Sequence, residues 1–357
     1  VRTLEGIHLV TGGSGYFGSL LVEQLRRRGL SVRNFDLNEN ADRPKDVEFI
    51  QGDIRDRAAV ERACRGVAVI HHSVAQVPLA KDKELFWTVN RDGTETLLAA
   101  AQAAGVRKVV HLSSSAVYGA PERNPVTEDS PRRPGEEYGA AKLAAEEICA
   151  RYVARGLDIS IIRPRTIMGH GRLGIMQILF EWIRNGRNVP VLGRGDNLYQ
   201  FIHADDLADA CIRAAETPGA NAFNIGAERF DTMRATLEGL IAHAGTGSRV
   251  VSIPAAPAVA GMTLTSRIGW SPLGAYHALM YGRAMYFDVS RAKSVLGWSS
   301  RFGNVEMFCD SYDWYLRNRE EVLQRKATSP HRAAVDQGIL KLVSLALGPI
   351  TPRHARV

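Results

Sequence analysis

Through the first two-thirds of the chain, short apolar runs alternate with stretches whose apolar residues recur at helical spacing. The runs at 7–11, 31–35, 47–50, 67–71, 107–113 and 159–163 predict strands, and the stretches 16–28, 56–65, 84–104 and 138–155 predict helices. Strands that alternate with helices of this length predict an α/β fold on a doubly wound parallel sheet. After about residue 164 the pattern loosens. Gly and Pro become frequent in GHGRLG and NVPVLGRGDN, and helices predicted at 174–185, 205–216, 231–244 and 303–319 are separated by short extended pieces. This predicts a smaller C-terminal substrate-binding lobe, interleaved with the last strands of the sheet. The expected division is 1–165 for the main sheet, 166–325 for the lobe and 326–357 for a tail.

The tail carries its own pattern. Val335, Ile339, Leu342, Val343, Ala346 and Leu347 form one apolar stripe at helical spacing, stopped by Gly348 and Pro349. Arg325, Lys326, His331 and Arg332 flank it before, and Arg353, His354 and Arg356 after. Such a stripe docks on the protein's own body or a partner subunit, or rests on an anionic membrane surface. Gly338 and a weakly charged polar face favour the packed tail.

The first strand runs into TGGSGYFG, with Gly12, Gly15 and Gly18 in GxxGxxG spacing and Tyr16 and Phe17 between the last two. Glycine permits the tight turn and the close backbone approach of a pyrophosphate to a helix N-terminus. The next strand ends at Asp36, which can accept hydrogen bonds from adenosine ribose hydroxyls and repels a 2′-phosphate, so NAD is expected rather than NADP. In QGDIRD, Asp53 and Ile54 follow the third strand, where they are placed to meet the adenine edge and face.

The fifth strand ends in VVHLSSSAVYG, and a later helix opens with EEYGAAK, putting Tyr138 four residues before Lys142. A Tyr–Lys pair one turn apart is a common surface motif. Beside a dinucleotide it acquires chemistry. The lysine would hold the nicotinamide ribose and lower the phenol's pKa from about 10. The phenol would exchange a proton with a substrate hydroxyl, and one serine hydroxyl would position the same oxygen.

With VTGGSGYFG, GDIRD, VNRDGT, LSSSAVYG, YGAAK, RPRTIMG, QFIHADDLADA and KSVLGW in order over about residues 5–320, the chain resembles the extended short-chain dehydrogenase/reductase family, nearest its NAD-dependent sugar-nucleotide epimerase/dehydratase branch. The resemblance implies a Rossmann-type fold, bound NAD, a nucleotide-sugar substrate, and a homodimer paired through helices 84–104 and 138–155. It implies Ser114, four residues before Tyr118, as the catalytic hydroxyl beside Tyr138 and Lys142, with Ser113 and Ser115 as neighbours. Asn90 matches a family position near the cofactor; a helix N-cap is the other reading of it.

Family dehydratases carry an Asp–Glu pair just after the catalytic hydroxyl, and related decarboxylases carry the Glu; here those positions are Ser115 and Ala116, which counts against both. An epimerase of a nucleotide-linked sugar, acting through a transient ketone, is therefore expected. Two departures bear on its substrate. Tyr199 and Gln200 stand where many sugar-nucleotide members have a diphosphate-binding Arg, and Thr166 replaces an Asn. Ser115 and Thr166 are substrate-side candidates, and Arg283 is either a second phosphate ligand or a surface arginine. The apolar segment 253–282 supports an alternative, a dehydrogenase or reductase of a larger apolar secondary alcohol, like the family's 3β-hydroxysteroid dehydrogenases. The intact Ser114–Tyr138–Lys142 set argues against a non-enzymatic NAD sensor.

Composition adds little. A net charge of +7 suits an anionic ligand, but the arginines are scattered, so no nucleic-acid partner is expected. Cys64, Cys149, Cys211 and Cys309 lack CxxC spacing, so free thiols and no metal site are expected. With no signal-peptide pattern and no long apolar run, a cytoplasmic location is expected.

Overall fold

The computed structural model describes residues 5–77, 83–267 and 280–324. The tail stripe at 333–350 lies outside the described residues, as does part of the apolar segment 253–282. In chain order the main elements are β1 (Ile7–Thr11), α1 (Tyr16–Arg27), β2 (Ser31–Asp36), β3 (Glu48–Gln51), α2 (Arg57–Cys64), β4 (Val67–His72), α3 (Gly93–Ala103), β5 (Lys108–Leu112), α4 (Glu137–Val153) and β6 (Ile159–Pro164). Then follow β7 (Thr166–Met168), α5 (Ile175–Arg184), β8 (Val189–Leu192), β9 (Phe201–His203), α6 (Ala204–Glu216), β10 (Asn221–Ile225), α7 (Met233–Ala244), β11 (Val250–Ile253), α8 (Ala255–Arg267), α9 (Ser290–Leu296) and α10 (Asn304–Gln324).

Seven strands form one sheet in the order β10-β6-β5-β4-β1-β2-β3, all parallel. Parallel strands need crossover helices, and helices on both faces leave no wet side, so the central strands are buried, including polar residues such as His8, His71 and His111. On one face α1 and α6 interlock through Leu21, Val22 and Leu25 against Ala208, Cys211 and Ile212. On the other, α2, α3 and α4 pack through Val60, Leu97, Leu98, Ile148 and Tyr152. The chain reverses from β3 and β2 outward to β4, so the strand ends at β1 and β4 border the crevice where such sheets bind ligands.

Beyond β6 the chain leaves the sheet and returns with β10. The excursion pairs β7 with β9 and β8 with β11, and α5, α7 and α10 close around Phe180, Leu240, Phe308 and Tyr315.

One element differs from its sequence pattern. The stretch 84–104 is not a single α-helix: it opens with a wide, π-type turn over Phe86–Asp92 and only then becomes α3. Gly93 marks the join, where a Cβ would sit 2.6 Å from Ile54 Cγ2. The wide turn lodges one extra residue and turns Asn90 inward.

Candidate active site

One cavity of about 540 Å³ runs from the end of β2 across the sheet's strand ends to β7 and the turn at Met280–Arg283. Gly12, Gly15, Tyr16, Phe17 and Gly18 form its floor between β1 and α1. The loop is bare because the fold leaves no room for side chains. Gly12 has φ +74°, a Cβ at Gly13 would fall 2.3 Å from Asn34 Oδ1, and one at Gly18 would fall 2.1 Å from the Gly12 carbonyl. Backbone amides at the start of α1 are thus open to a ligand's phosphates, and the residues fit a dinucleotide.

Asp36 lies at the cavity's far end, where its carboxylate accepts from Ser14 N at 3.1 Å and Asn38 N at 3.3 Å. Burial raises its pKa, and these amide bonds oppose the rise. Ile54 is buried on the cavity wall beside Asp53. Arg55 grips Asp53 with Nε at 2.9 Å and Nη2 at 2.6 Å, which lowers the pKa of that carboxyl. Arg55 also lines the cavity and escaped the sequence reading, since an exposed Arg after a turn gives no signal.

Asn90 does not line the cavity. Its Oδ1 accepts from Gln76 N at 2.7 Å and its Nδ2 donates to Gln76 O at 3.0 Å, so it clamps the loop Ser73–Val77 that does. It is not the N-cap of α3, which begins three residues later; Asn90 belongs to the π-type turn.

The three serines after β5 separate by partner. Ser113 Oγ donates to the buried Glu146 at 2.5 Å, and Ser115 Oγ accepts from Arg165 Nη1 at 3.0 Å. Ser114 Oγ accepts only the local amide of Ala116 at 3.1 Å, which leaves its proton for a ligand in the cavity it lines. A one-residue choice invisible in SSS thus has a geometric basis.

Tyr138 enters the same cavity from the first turn of α4. Glu136 caps that turn by accepting from Tyr138 N at 2.8 Å and Gly139 N at 2.7 Å, and Phe86 meets the phenol ring edge-on at 6.1 Å. One turn on, Lys142 is buried with Nζ donating to the Leu112 carbonyl at 2.8 Å. Burial pulls its pKa down to about 8. Beneath it lie His72, held between Thr11 and Thr94 hydroxyls at 2.8 and 3.0 Å, and His111. Burial and the nearby lysine push His72 down to about 3 and His111 well below its ordinary value, so both stay neutral and do not compete with the ammonium.

At the other end Thr166 meets the Tyr199 hydroxyl at 3.1 Å, and both line the cavity. Gln200 does not: its amide is spent on Ala227 O at 2.8 Å and Phe287 N at 2.9 Å. Arg283 is also absent from the lining. It is exposed on the turn that instead offers Tyr281 to the cavity. Two arginines with no sequence signal, Arg165 and Arg172, do line it. Arg172 lies over the Tyr16 ring at 5.6 Å with Nη1 unpaired.

A family model described as the NAD dependent epimerase/dehydratase family matches residues 8–226. The uncharacterized protein y4nG of Sinorhizobium fredii is 52% identical over 95% of this chain and 86% of its own length. The UDP-glucose 4-epimerase of Mycolicibacterium smegmatis is 31% identical over 88% of this chain and 99% of its own. The human sterol-4-alpha-carboxylate 3-dehydrogenase, decarboxylating, is 35% identical over 60% of this chain and 61% of its own length. Among solved structures, MoeE5 in complex with NAD and either UDP-glucose or UDP-glucuronic acid superimposes with TM-scores of 0.71 and 0.72 at 27% identity, covering 88% of this chain and 100% of that one.

Proposed function

The chain belongs to the NAD dependent epimerase/dehydratase family, and from that premise we propose that it is an NAD-dependent epimerase of a nucleotide-linked sugar. One observation carries the reading. Ser114, Tyr138 and Lys142 line a cavity whose floor is the bare glycine loop, while the two positions after Ser114 hold a serine bonded to Arg165 and a buried alanine. Those positions offer no acid to protonate a leaving hydroxyl, so reversible oxidation of the alcohol is the chemistry left.

NAD, held by the glycine loop and Asp36, would supply the hydride acceptor for the carbinol carbon and the hydride donor for its return. The chain's own residues do the rest. Tyr138 takes the hydroxyl proton as the ketone forms and gives it back as the ketone is reduced. Lys142 stabilises the phenolate with its ammonium and donates to the nicotinamide ribose. Ser114 donates to the substrate oxygen throughout. Asp36 accepts from the adenosine ribose hydroxyls, and its charge disfavours a 2′-phosphate. Between the two half-reactions the sugar presents its other face, which requires a firm hold on the nucleotide and a loose one on the ring.

The UDP-glucose 4-epimerase relative supports this reading over its whole length, including the part that contributes Tyr199 and Tyr281 to the cavity. The sterol dehydrogenase relative favours a second reading, a dehydrogenase of a larger apolar secondary alcohol, but its match reaches only 60% of the chain. Incubation with a panel of nucleotide sugars separates the two. Interconversion of two epimers with no NADH accumulating is the expected result; stoichiometric NADH with a stable ketone supports the dehydrogenase.

A further inference from the structure

Among the described residues, five Lys and Arg side chains are buried, and the protein treats them in two ways. Arg163 is paired through Nε and Nη2 with both oxygens of Glu146, and Arg33 and Lys108 are paired with Glu48 and Asp158. Lys142 and Arg165 have no carboxylate, and they are the two that line the cavity. Lys142 has its place in the proton transfer. Arg165 does not.

Arg165 links β6 to β7 and is 1% exposed. Its guanidinium lies 4.7 Å above the Tyr199 ring and 5.7 Å from Phe287, so it sits among aromatic faces and not beside a carboxylate. Nη1 is occupied by Ser115 Oγ at 3.0 Å and Met285 Sδ at 3.3 Å, while Nε and Nη2 have no partner. Those two nitrogens form one edge of the fork, the edge whose parallel N–H groups match the two oxygens of a carboxylate. A buried cation is retained without a protein counterion only at a cost to folding, which points to a ligand that completes it. None of the described residues lining the catalytic end of the cavity is acidic, and oxidised nicotinamide would add a further positive charge there.

We propose that Arg165 is a specificity residue that receives a carboxylate on the reacting sugar, so that the substrate is a nucleotide-linked uronic acid or a similar sugar acid. This rests on the nucleotide-sugar reading above. The guanidinium is bonded to Ser115, the neighbour of Ser114, so the anion it receives belongs to the reacting ring and not to the diphosphate. Nε and Nη2 are themselves buried, so engagement requires the guanidinium to turn that unpaired edge toward the cavity it lines.

UDP-glucuronate and UDP-glucose share the diphosphate and differ in carboxylate against hydroxymethyl, so they form the test pair. With NAD-loaded protein, the parent is expected to bind and turn over UDP-glucuronate in preference. Arg165→Met is expected to lower kcat/KM for it by about 100-fold while changing UDP-glucose by less than about 5-fold, with Arg165→Lys between. Without sugar, Arg165→Met is expected to melt no lower than the parent, since it removes an uncompensated cation. Equal losses on both sugars, no preference in the parent, or a collapsed melting temperature overturns the proposal while leaving the epimerase reading intact. Binding of neither UDP-sugar, with no other member of the nucleotide-sugar panel bound, overturns the nucleotide-sugar reading, and the proposal with it.

Discussion

Lys142 sits inside the protein with its ammonium on the Leu112 carbonyl and no carboxylate bonded to it, and its pKa is pulled from 10.5 to about 8. Two consequences follow, with opposite signs for activity and stability. The proton is needed for the phenolate at Tyr138, so turnover is expected to decline as pH rises through about 8, with no step from His72 or His111, which are neutral throughout. A kcat profile flat to about pH 10 would contradict the role. The folded pKa lies below the unfolded one, so the stability linked to this group is complete above 10.5 and is lost as pH falls through about 8. Lys142→Met at neutral pH is therefore expected to raise unfolding free energy by about 1–3 kcal/mol in urea titration while abolishing turnover. Tyr138→Phe is expected to lower kcat by about 10²–10⁴-fold, with NAD content of the purified protein unchanged. Asp36→Ala is expected to narrow the preference for NAD over NADP in cofactor-binding titrations, because charge repulsion at the ribose is removed. Types and spacings made Tyr138, Lys142 and Asp36 visible in the sequence. Arg165 and Arg55 were not, because nothing in RPRT or DIRD tells whether an arginine faces water or a cavity; only the fold decides that.

Element positions rest on a buried charge network behind the site. Glu146, two turns beyond Tyr138 on α4, binds Arg163 on β6, Ser113 after β5 and Arg132 at 2.9 Å, and Arg163 Nη1 continues to Tyr118 OH at 2.7 Å. It ties α4 to β6 and to the segment after β5, the elements that bring Tyr138 and Ser114 to one cavity. Glu146→Gln leaves Arg163 buried without its charge partner and is expected to cost about 3 kcal/mol of stability, measured by urea denaturation. Wild-type stability in that variant would mean the network is dispensable. Strand and helix positions were legible because apolar runs and 3.6-residue periods are written locally: β1, α1 and β4 lie where the pattern puts them. The π-type turn at Phe86–Asp92 was not, since periodicity barely registers one added residue, and the close approach of Gly93 to Ile54 that follows it is distant in sequence. The hydrogen bonds of Asn90 were not legible either: its partner, Gln76, comes from a loop that no periodicity places.

At the scale of the whole molecule, the parallel sheet brings segments far apart in sequence to one edge. Gly12, Asp36, Ser114, Tyr138, Thr166 and Tyr199 share a single cavity only because β1, β2, β5 and β6 end on the same side. The doubly wound sheet was readable from alternation alone. The substrate end was less so, because β7, β9 and the Met280–Arg283 turn are short, and side chains one or two positions apart there face different ways: Tyr199 lines the cavity while Gln200 braces the backbone, and Tyr281 lines it while Arg283 does not. The central claim is that one cavity removes a hydride from a sugar carbon and returns the same hydride to its other face. Its most direct test takes the epimer pair found with the nucleotide-sugar panel, places deuterium on the reacting carbon, and follows the label by NMR and mass spectrometry in ordinary water. The account predicts that the product keeps the deuterium on the same carbon. Loss of the label to solvent, or its appearance in released NADH beside a stable ketone, would contradict it.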